Sequence, residues 1–476
     1  MDKNTFYITT PIFYVNDQPH VGSALATVCS DIIARYQKSK GKQVFFLTGT
    51  DEFGAKVALK AKSEGQEPQK FVDTLVKDFE KAWDLLNIKY DYFIRTTNVE
   101  HKKFVEEFIN RVYAKGDIYK AEYEGYYCIG CEAFKTDKDL VEGHCPLHRP
   151  EQTVFQHEEN YFFKLTKYAP KVLELIESNE YQIFPDQKKN EIVSKLKSAI
   201  ENGELPDLSI SRENLDWGIR IPWDKNHAIY VWFDALLNYY SALKINNVYD
   251  KFWPADIHVV GKDILWFHTT IWLAMLLSGE EKLPKRVFAT SYFTIDGQKM
   301  SKSLGNVISP NDLVEKYGVD GTRYLLASSL PYHDDADIGF TKFGIRYTSD
   351  LANNLGNLVN RVVGLIKKKN YVLKNYDFDK SYFEGVDKLF DEYKLHEVLQ
   401  NIMTQVSKVN LKISDNKLWQ KEGDEFSVQI EDIAKSIRKI SYNLAPFMPD
   451  TCSFIDNIFS LEQKDKSETV LFPRLI

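Results

Sequence analysis

The feature that most restricts this chain is its opening: two short apolar runs, residues 6–9 and 44–48, flank a helix-like pattern at residues 24–38 that stops at Gly41. Strand, helix, strand at this spacing is the first unit of a parallel sheet. Ligands of such sheets sit outside the carboxyl ends of the strands. His20 and Asp51 both fall on that edge. No glycine-rich dinucleotide fingerprint follows the first strand, which argues against a dehydrogenase.

The turn leaving the first strand reads Thr-Thr-Pro-Ile-Phe-Tyr-Val-Asn-Asp-Gln-Pro-His-Val-Gly-Ser over residues 9–23. His20 and Gly22 at a helix N-terminus offer backbone N–H groups, an imidazole donor and room for a phosphate or a flat base. An ordinary capped helix start, with Ser23 near the cap, would use the same residues. Far downstream, residues 295–306 read Ile-Asp-Gly-Gln-Lys-Met-Ser-Lys-Ser-Leu-Gly-Asn. Lys299, Lys302, Ser301 and Ser303 between Gly297 and Gly305 make a cationic loop able to close over a polyphosphate. Alone, such a loop is a solvated turn. Paired with the His-x-Gly turn, it asks for a phosphate site.

Three of the five cysteines lie between residues 128 and 145, which suits metal ligation in a reducing compartment better than a disulfide framework. Cys128 and Cys131 are followed, after thirteen residues, by Cys145 and His148. Two such pairs fit a tetrahedral zinc knuckle. His144 competes for the fourth position, but its adjacency to Cys145 strains the chelate. With four protein ligands the zinc is structural. Residues 117–226 then form an insertion splitting a sheet domain into halves, 1–116 and 227–290.

The second half is expected to contain strands at residues 228–234 and 258–263, then a buried helix over 264–277. That helix holds His268 and Trp272 four apart, on one face at a strand end. It is too short to span a bilayer. Helical patterns also cover residues 68–87 and 99–115. After residues 291–342 the chain reads as helical through 343–476, with amphipathic patterns at 343–369 and 388–413. Asn353, Asn357 and Arg361 share a polar face, and Trp419 stands in a polar stretch, where a large aromatic is either docked or offers a stacking surface. Residues 471–474 pack the tail back. The net charge of −7 argues against nonspecific coating of nucleic acid, and 43% hydrophobic with 27% charged residues is an ordinary soluble composition. The N-terminus shows no signal or transit pattern, which favours the cytoplasm.

The His20-Val21-Gly22-Ser23 turn and the Lys-Met-Ser-Lys-Ser loop together resemble the two signatures of class I aminoacyl-tRNA synthetases, with Ser23 replacing a second histidine. Over its whole length the chain resembles the methionyl-tRNA synthetases of the bacterial or organellar type with one zinc knuckle. The resemblance is carried by residues 10–16, the knuckle, Ile210-Ser211-Arg212, residues 230–235, Gly261-Lys262-Asp263-Ile264, His268 and Trp272, and residues 299–303.

The resemblance implies an α/β fold. A Rossmann-like parallel-sheet catalytic domain is split by a zinc-containing connective insertion and followed by an all-α helical-bundle anticodon-binding domain. It also implies activation of methionine with ATP, accompanied by Mg²⁺, and transfer to initiator and elongator methionine tRNAs. His20, Lys299 and Lys302 would be catalytic. Val21, Gly22, Ser23, Gly261, Asp263, Met300, Ser301 and Ser303 would join them in binding ATP. Methionine would meet Ile12, Phe13, Tyr14, Asp51, Arg212, Trp232, Ala235, Tyr239, Ile264, His268 and Trp272. Asn353, Asn357, Arg361 and Trp419 would read the anticodon. Lacking the further oligonucleotide-binding domain of many relatives, the chain is expected to be a monomer without membrane attachment. The rivals are a leucine, valine or cysteine synthetase, a noncatalytic zinc-knuckle RNA-binding protein and a small-molecule nucleotidylyltransferase. The insertion is too short for a leucine- or valine-type editing domain, and the zinc cluster too compact for the cysteine type. The intact motifs argue against the RNA-binding protein, and the helical C-terminus with Trp419 against the nucleotidylyltransferase.

Overall fold

The computed structural model describes residues 4–128, 133–135, 140–146, 149–213, 215–295, 297–300, 306–330, 335–374, 377–459 and 471–475. The chain divides into two compact units. One takes residues 1–18, 42–81 and 90–289, the other residues 19–41, 82–89 and 290–476.

The first unit is built on a six-stranded sheet in the order Tyr92–Arg95, Gln43–Asp51, Thr5–Tyr14, Ile257–Gly261, Arg286–Thr290, Gln182–Phe184. Thr5–Tyr14 runs parallel to both its neighbours, with Ile8 beside Phe46 and Ile257. Unbroken apolar strands are what a sheet buried on both faces requires. Tyr7, Ile8, Phe46 and Leu47 are accordingly fully buried. The common direction brings Tyr14, Asp51, Arg95 and Gly261 to one carboxyl edge.

Two expectations for this unit need correction. The segment 228–234 is not a strand of the main sheet: Asp224–Ile229 joins a small antiparallel sheet with Arg220–Ile221 and Ser211–Glu213, and Val231–Ala235 is helical. A short apolar run does not distinguish strand from buried helix by period alone. The helix over 264–277 is also not continuous. It is a 3₁₀ turn, Lys262–Ile264, then a π-helical turn, Phe267–Ile271, then an α-helix, Trp272–Ser278.

Within the inserted segment, Ile118–Cys128 and Thr153–Phe163 pair antiparallel along their whole length, flanked by Ala133–Lys135 and Leu208–Ser209. Between the helices Leu165–Glu177 and Asp186–Glu201, the strand Gln182–Phe184 returns to the edge of the main sheet, parallel to Arg286–Thr290.

The second unit combines the helix Val21–Ser39 with a small sheet, Gln298–Lys299, Phe293–Ile295 and Ala336–Ile338, and a set of C-terminal helices. Helix Pro310–Ser328 bends at Gly318, whose φ is 71°. The pattern over 343–369 appears as consecutive helical pieces, the middle one, Tyr347–Gly356, being π-helical. Leu395–Asp415, Gly423–Leu444 and Pro449–Ile458 complete the set. The tail does pack back: a Cβ added at Gly356 would lie 2.5 Å from the Leu471 carbonyl oxygen, so only glycine fits there. Among the described residues no helix is long and apolar enough to cross a membrane.

Candidate active site

In the first unit the carboxyl edge of the sheet carries a cluster centred on Tyr239, which is 2% exposed. Its hydroxyl lies 2.8 Å from His268 Nε2, and its carbonyl accepts from the Tyr7 hydroxyl at 2.6 Å. The other ring nitrogen, His268 Nδ1, faces the Ile264 carbonyl at 2.9 Å. A carbonyl only accepts, so Nδ1 carries the proton and Nε2 accepts from Tyr239. Burial pushes the His268 pKa down to about 4, leaving a neutral ring. His258 is fixed the same way: Trp272 Nε1–H donates to its Nε2 at 3.3 Å, and its Nδ1 lies 2.8 Å from Thr9 Oγ1. Burial, then the nearby His268, holds its pKa well below the usual histidine range.

Ile12, Tyr14, Trp232 and Ile264 are partly buried against the same hydrophobic core that contains Tyr239, and Ala235 is buried. Trp232 stacks on Phe267 with centroids 4.0 Å apart. Asp51 ends its strand, buried, and its charge is felt at Tyr239, where burial first and Asp51 second raise the phenol pKa. Arg212 donates to Ser209 Oγ at 2.9 Å and to the Ser211 carbonyl at 2.7 Å, with its guanidinium 4.5 Å from the Tyr230 ring centre. Strand alternation sends Phe13 elsewhere, stacked on Phe79. Asp263 folds over Gly261: a Cβ there would meet its carboxylate oxygen at 2.7 Å.

In the second unit His20 caps the helix Val21–Ser39, its Nδ1 accepting from the Gly22 N–H at 3.0 Å. The Ser23 hydroxyl accepts from the His20 N–H at 3.0 Å and donates to the His20 carbonyl at 2.8 Å, which closes a capping box. The downstream loop meets this turn on both flanks. The Met300 methyl lies 4.0 Å from where a Gly22 Cβ would be, and the Val21 N–H donates to the Ile308 carbonyl at 2.9 Å. Gln298–Lys299 pairs with Phe293–Ile295. Ser301, Lys302 and Ser303 lie outside the described residues.

In the same unit Asn353 and Asn357 are exposed, and the Arg361 guanidinium lies 5.2 Å from the Trp419 ring centre while donating to Ser414 Oγ at 3.0 Å. Trp419 is 41% exposed.

Cys128 and Cys145 are buried, and one residue joins them: Thr153 stands opposite Cys128 in the ladder and accepts from the Cys145 N–H at 3.0 Å. Cys131 and His148 lie outside the described residues, and among those described no three metal-binding side chains cluster.

Sequence reasoning gave no role to Asp234, although the carboxylate interrupts an apolar run. It is fully buried, neither oxygen has a hydrogen-bond partner among the described residues, and burial raises its pKa well above the carboxylate range. Asp337 had no signal at all. It sits on a neighbouring strand and accepts from the Gly297 N–H at 2.9 Å, from Thr294 Oγ1 at 3.0 Å and from Lys342. These contacts, the Gly297 N–H first, hold its pKa down to about 2.

A family model described as tRNA synthetases class I (M) matches residues 6–154 and 148–363. A methionine–tRNA ligase of Nostoc sp. is 41% identical over 478 residues, covering 95% of this chain and 89% of that protein. Its counterpart in Thermotoga maritima is 41% identical over 487 residues, covering 97% and 76%. The solved Mycobacterium tuberculosis methionyl-tRNA synthetase in complex with methionyl-adenylate superposes with a TM-score of 0.88 at 33% identity, covering 95% of this chain and 93% of that one. The chain therefore belongs to the class I aminoacyl-tRNA synthetases of the methionine type.

Proposed function

We propose that the protein activates methionine with ATP and transfers it to methionine tRNA. The observation that carries this reading is the Tyr239 cluster: packed aromatic rings whose two histidines are held neutral, within reach of the charge of the buried Asp51. An apolar, polarizable wall suits a thioether, and Asp51 suits the α-ammonium group.

In the first step a methionine carboxylate oxygen attacks the α-phosphorus in line, the bond to the bridging oxygen breaks, and pyrophosphate leaves. The nucleophile is already ionised, so positioning and charge stabilisation do the work. The cap on Nδ1 leaves the neutral His20 ring with its proton on Nε2, an oriented donor for a phosphate oxygen. Gly22 and the N-terminal helical turn supply room and partial positive charge, while Lys299 and Lys302 serve the departing phosphates. Gly261 and Asp263 face the ribose, and Mg²⁺ arrives with ATP. In the second step a terminal ribose hydroxyl of the tRNA attacks the carbonyl and AMP leaves. Arg361 backed on Trp419, with Asn353 and Asn357, offers the edge donors and stacking face that unpaired anticodon bases require.

Cys128 and Cys145, drawn together through Thr153, fit a structural zinc completed by Cys131 and His148. Such an ion would fix the loops between the two strands. We also read the protein as a cytoplasmic monomer, which a sedimentation measurement tests.

The deciding experiment is amino-acid-dependent pyrophosphate exchange with methionine, leucine, isoleucine, valine and cysteine. Exchange with methionine alone is expected, and His20→Ala should lower it by about 10²–10³-fold, the usual cost of one transition-state donor. Absence of exchange with all five, in folded protein, overturns the reading.

A further inference from the structure

Arg323 is fully buried, and so is its partner Asp31. Arg323 Nη2 donates to Asp31 Oδ2 at 2.6 Å and to the Pro446 carbonyl at 3.0 Å. Nη1 donates to the Leu86 carbonyl at 3.1 Å and Nε to the Phe447 carbonyl at 2.8 Å. These carbonyls follow the helices Pro68–Leu85 and Gly423–Leu444, where backbone acceptors lack intrahelical donors. Asp31 is held from its own side as well, by Arg35 Nε at 2.6 Å and by the Lys89 N–H at 2.9 Å.

Stability alone does not call for this arrangement, since well-packed apolar side chains often replace a buried ion pair at no loss. A guanidinium with four fixed bonds does something apolar packing does poorly: it sets register. Arg323 lies on Pro310–Ser328, the helix that follows the lysine loop, and Asp31 lies on Val21–Ser39, the helix that begins at His20. At their N-terminal ends these segments share the Val21–Ile308 backbone bond. Asp31 is a second tie about 15 Å further along its helix. Two ties fix a helix direction that one leaves free to pivot, and a misplacement of about 1 Å at a reacting group costs on the order of 10²-fold in rate.

We propose that Arg323 and Asp31 are positioning residues for adenylate formation: their ion pair keeps the helix presenting His20 in register with the helix that follows the Lys-Met-Ser-Lys-Ser loop. The inference rests on the reading of those two motifs as the ATP site.

The test is pyrophosphate exchange by the full chain carrying Asp31→Asn, with rates normalised to titrated active sites. KM for ATP is expected to rise about tenfold and kcat to fall, while KM for methionine stays within about twofold. Asp31→Glu, which keeps the charge, should recover part of the loss. Should Asp31→Asn not fold, Arg35→Gln at the partly exposed Arg35, which removes the second donor to the same carboxylate oxygen, should shift KM for ATP in the same direction by less. A lowered melting temperature with both KM values unchanged per active site would overturn the proposal, as would equal rises in both. His20→Ala is measured alongside. If it too leaves ATP kinetics unchanged, the ATP-site reading fails and takes this inference with it; if it alone responds, only this inference fails.

Discussion

At the scale of single residues, the behaviour of Tyr239 follows from where its hydroxyl goes. It donates a hydrogen bond to His268 Nε2, and that nitrogen sits too deep for water to replace the donor. Tyr239→Phe should therefore cost about 1–3 kcal/mol of stability, the price of a buried acceptor left unmet. It should also raise KM for methionine several-fold, which thermal melts and exchange kinetics would read separately. The buried histidines also fix an acid limit. His268 titrates near 4 when folded, against a usual value of 6.5, and burial brings His101 down to about 3. A ring harder to protonate folded than unfolded takes up its proton on unfolding. Stability is thus full above pH 6.5 and falls as pH drops from there toward 4, by about 3 kcal/mol for His268 alone. Denaturant midpoints flat across that window would contradict this.

At the scale of elements, the lysine loop grows from a hairpin whose turn is pinned by Asp337 on a neighbouring strand. Asp337→Asn weakens the bonds from Gly297 and Lys342. KM for ATP is expected to rise about three- to tenfold, with KM for methionine unchanged in the same exchange assay, because water screens much of what these charge-assisted bonds contribute. The antiparallel ladder Ile118–Cys128 with Thr153–Phe163 makes a second case. If zinc ties its far end, chelation should release one metal per chain and lower the melting temperature, measured by elemental analysis beside calorimetry. The first strand, the first helix and the ligand edge could be read from the sequence because each obeys one clear period. The π-helical turn at Phe267–Ile271 could not. Its apolar composition suits a regular helix equally well, and the hydroxyl that meets His268 comes from Tyr239, a partner that no local pattern announces. Asp337 stayed hidden for a similar reason, because nothing local distinguishes an acid that caps a turn from one that faces water.

At the scale of the whole molecule, the residues proposed for methionine lie in one unit and those proposed for the anticodon in the other. Trp419→Ala should therefore raise KM for tRNA about tenfold while leaving methionine-dependent pyrophosphate exchange at the original rate. A loss of exchange would mean that Trp419 supports the fold instead. The motifs themselves were legible, because His20, Gly22 and the lysine loop keep their spacing. The companionship of Val21–Ser39 with residues 290–476 was not, since it depends on partners such as Arg323 that carry no periodic signal.

That companionship has a consequence for biosynthesis. Asp31 leaves the ribosome 292 residues before Arg323 does, a delay of roughly 15–60 s at about 5–20 residues per second. Until then the helix that starts at His20 has a carboxylate without its guanidinium, and the carbonyls at residues 446 and 447 come later still. A chain released early would therefore carry the first signature intact but lack the Arg323 tie to the helix that follows the lysine loop.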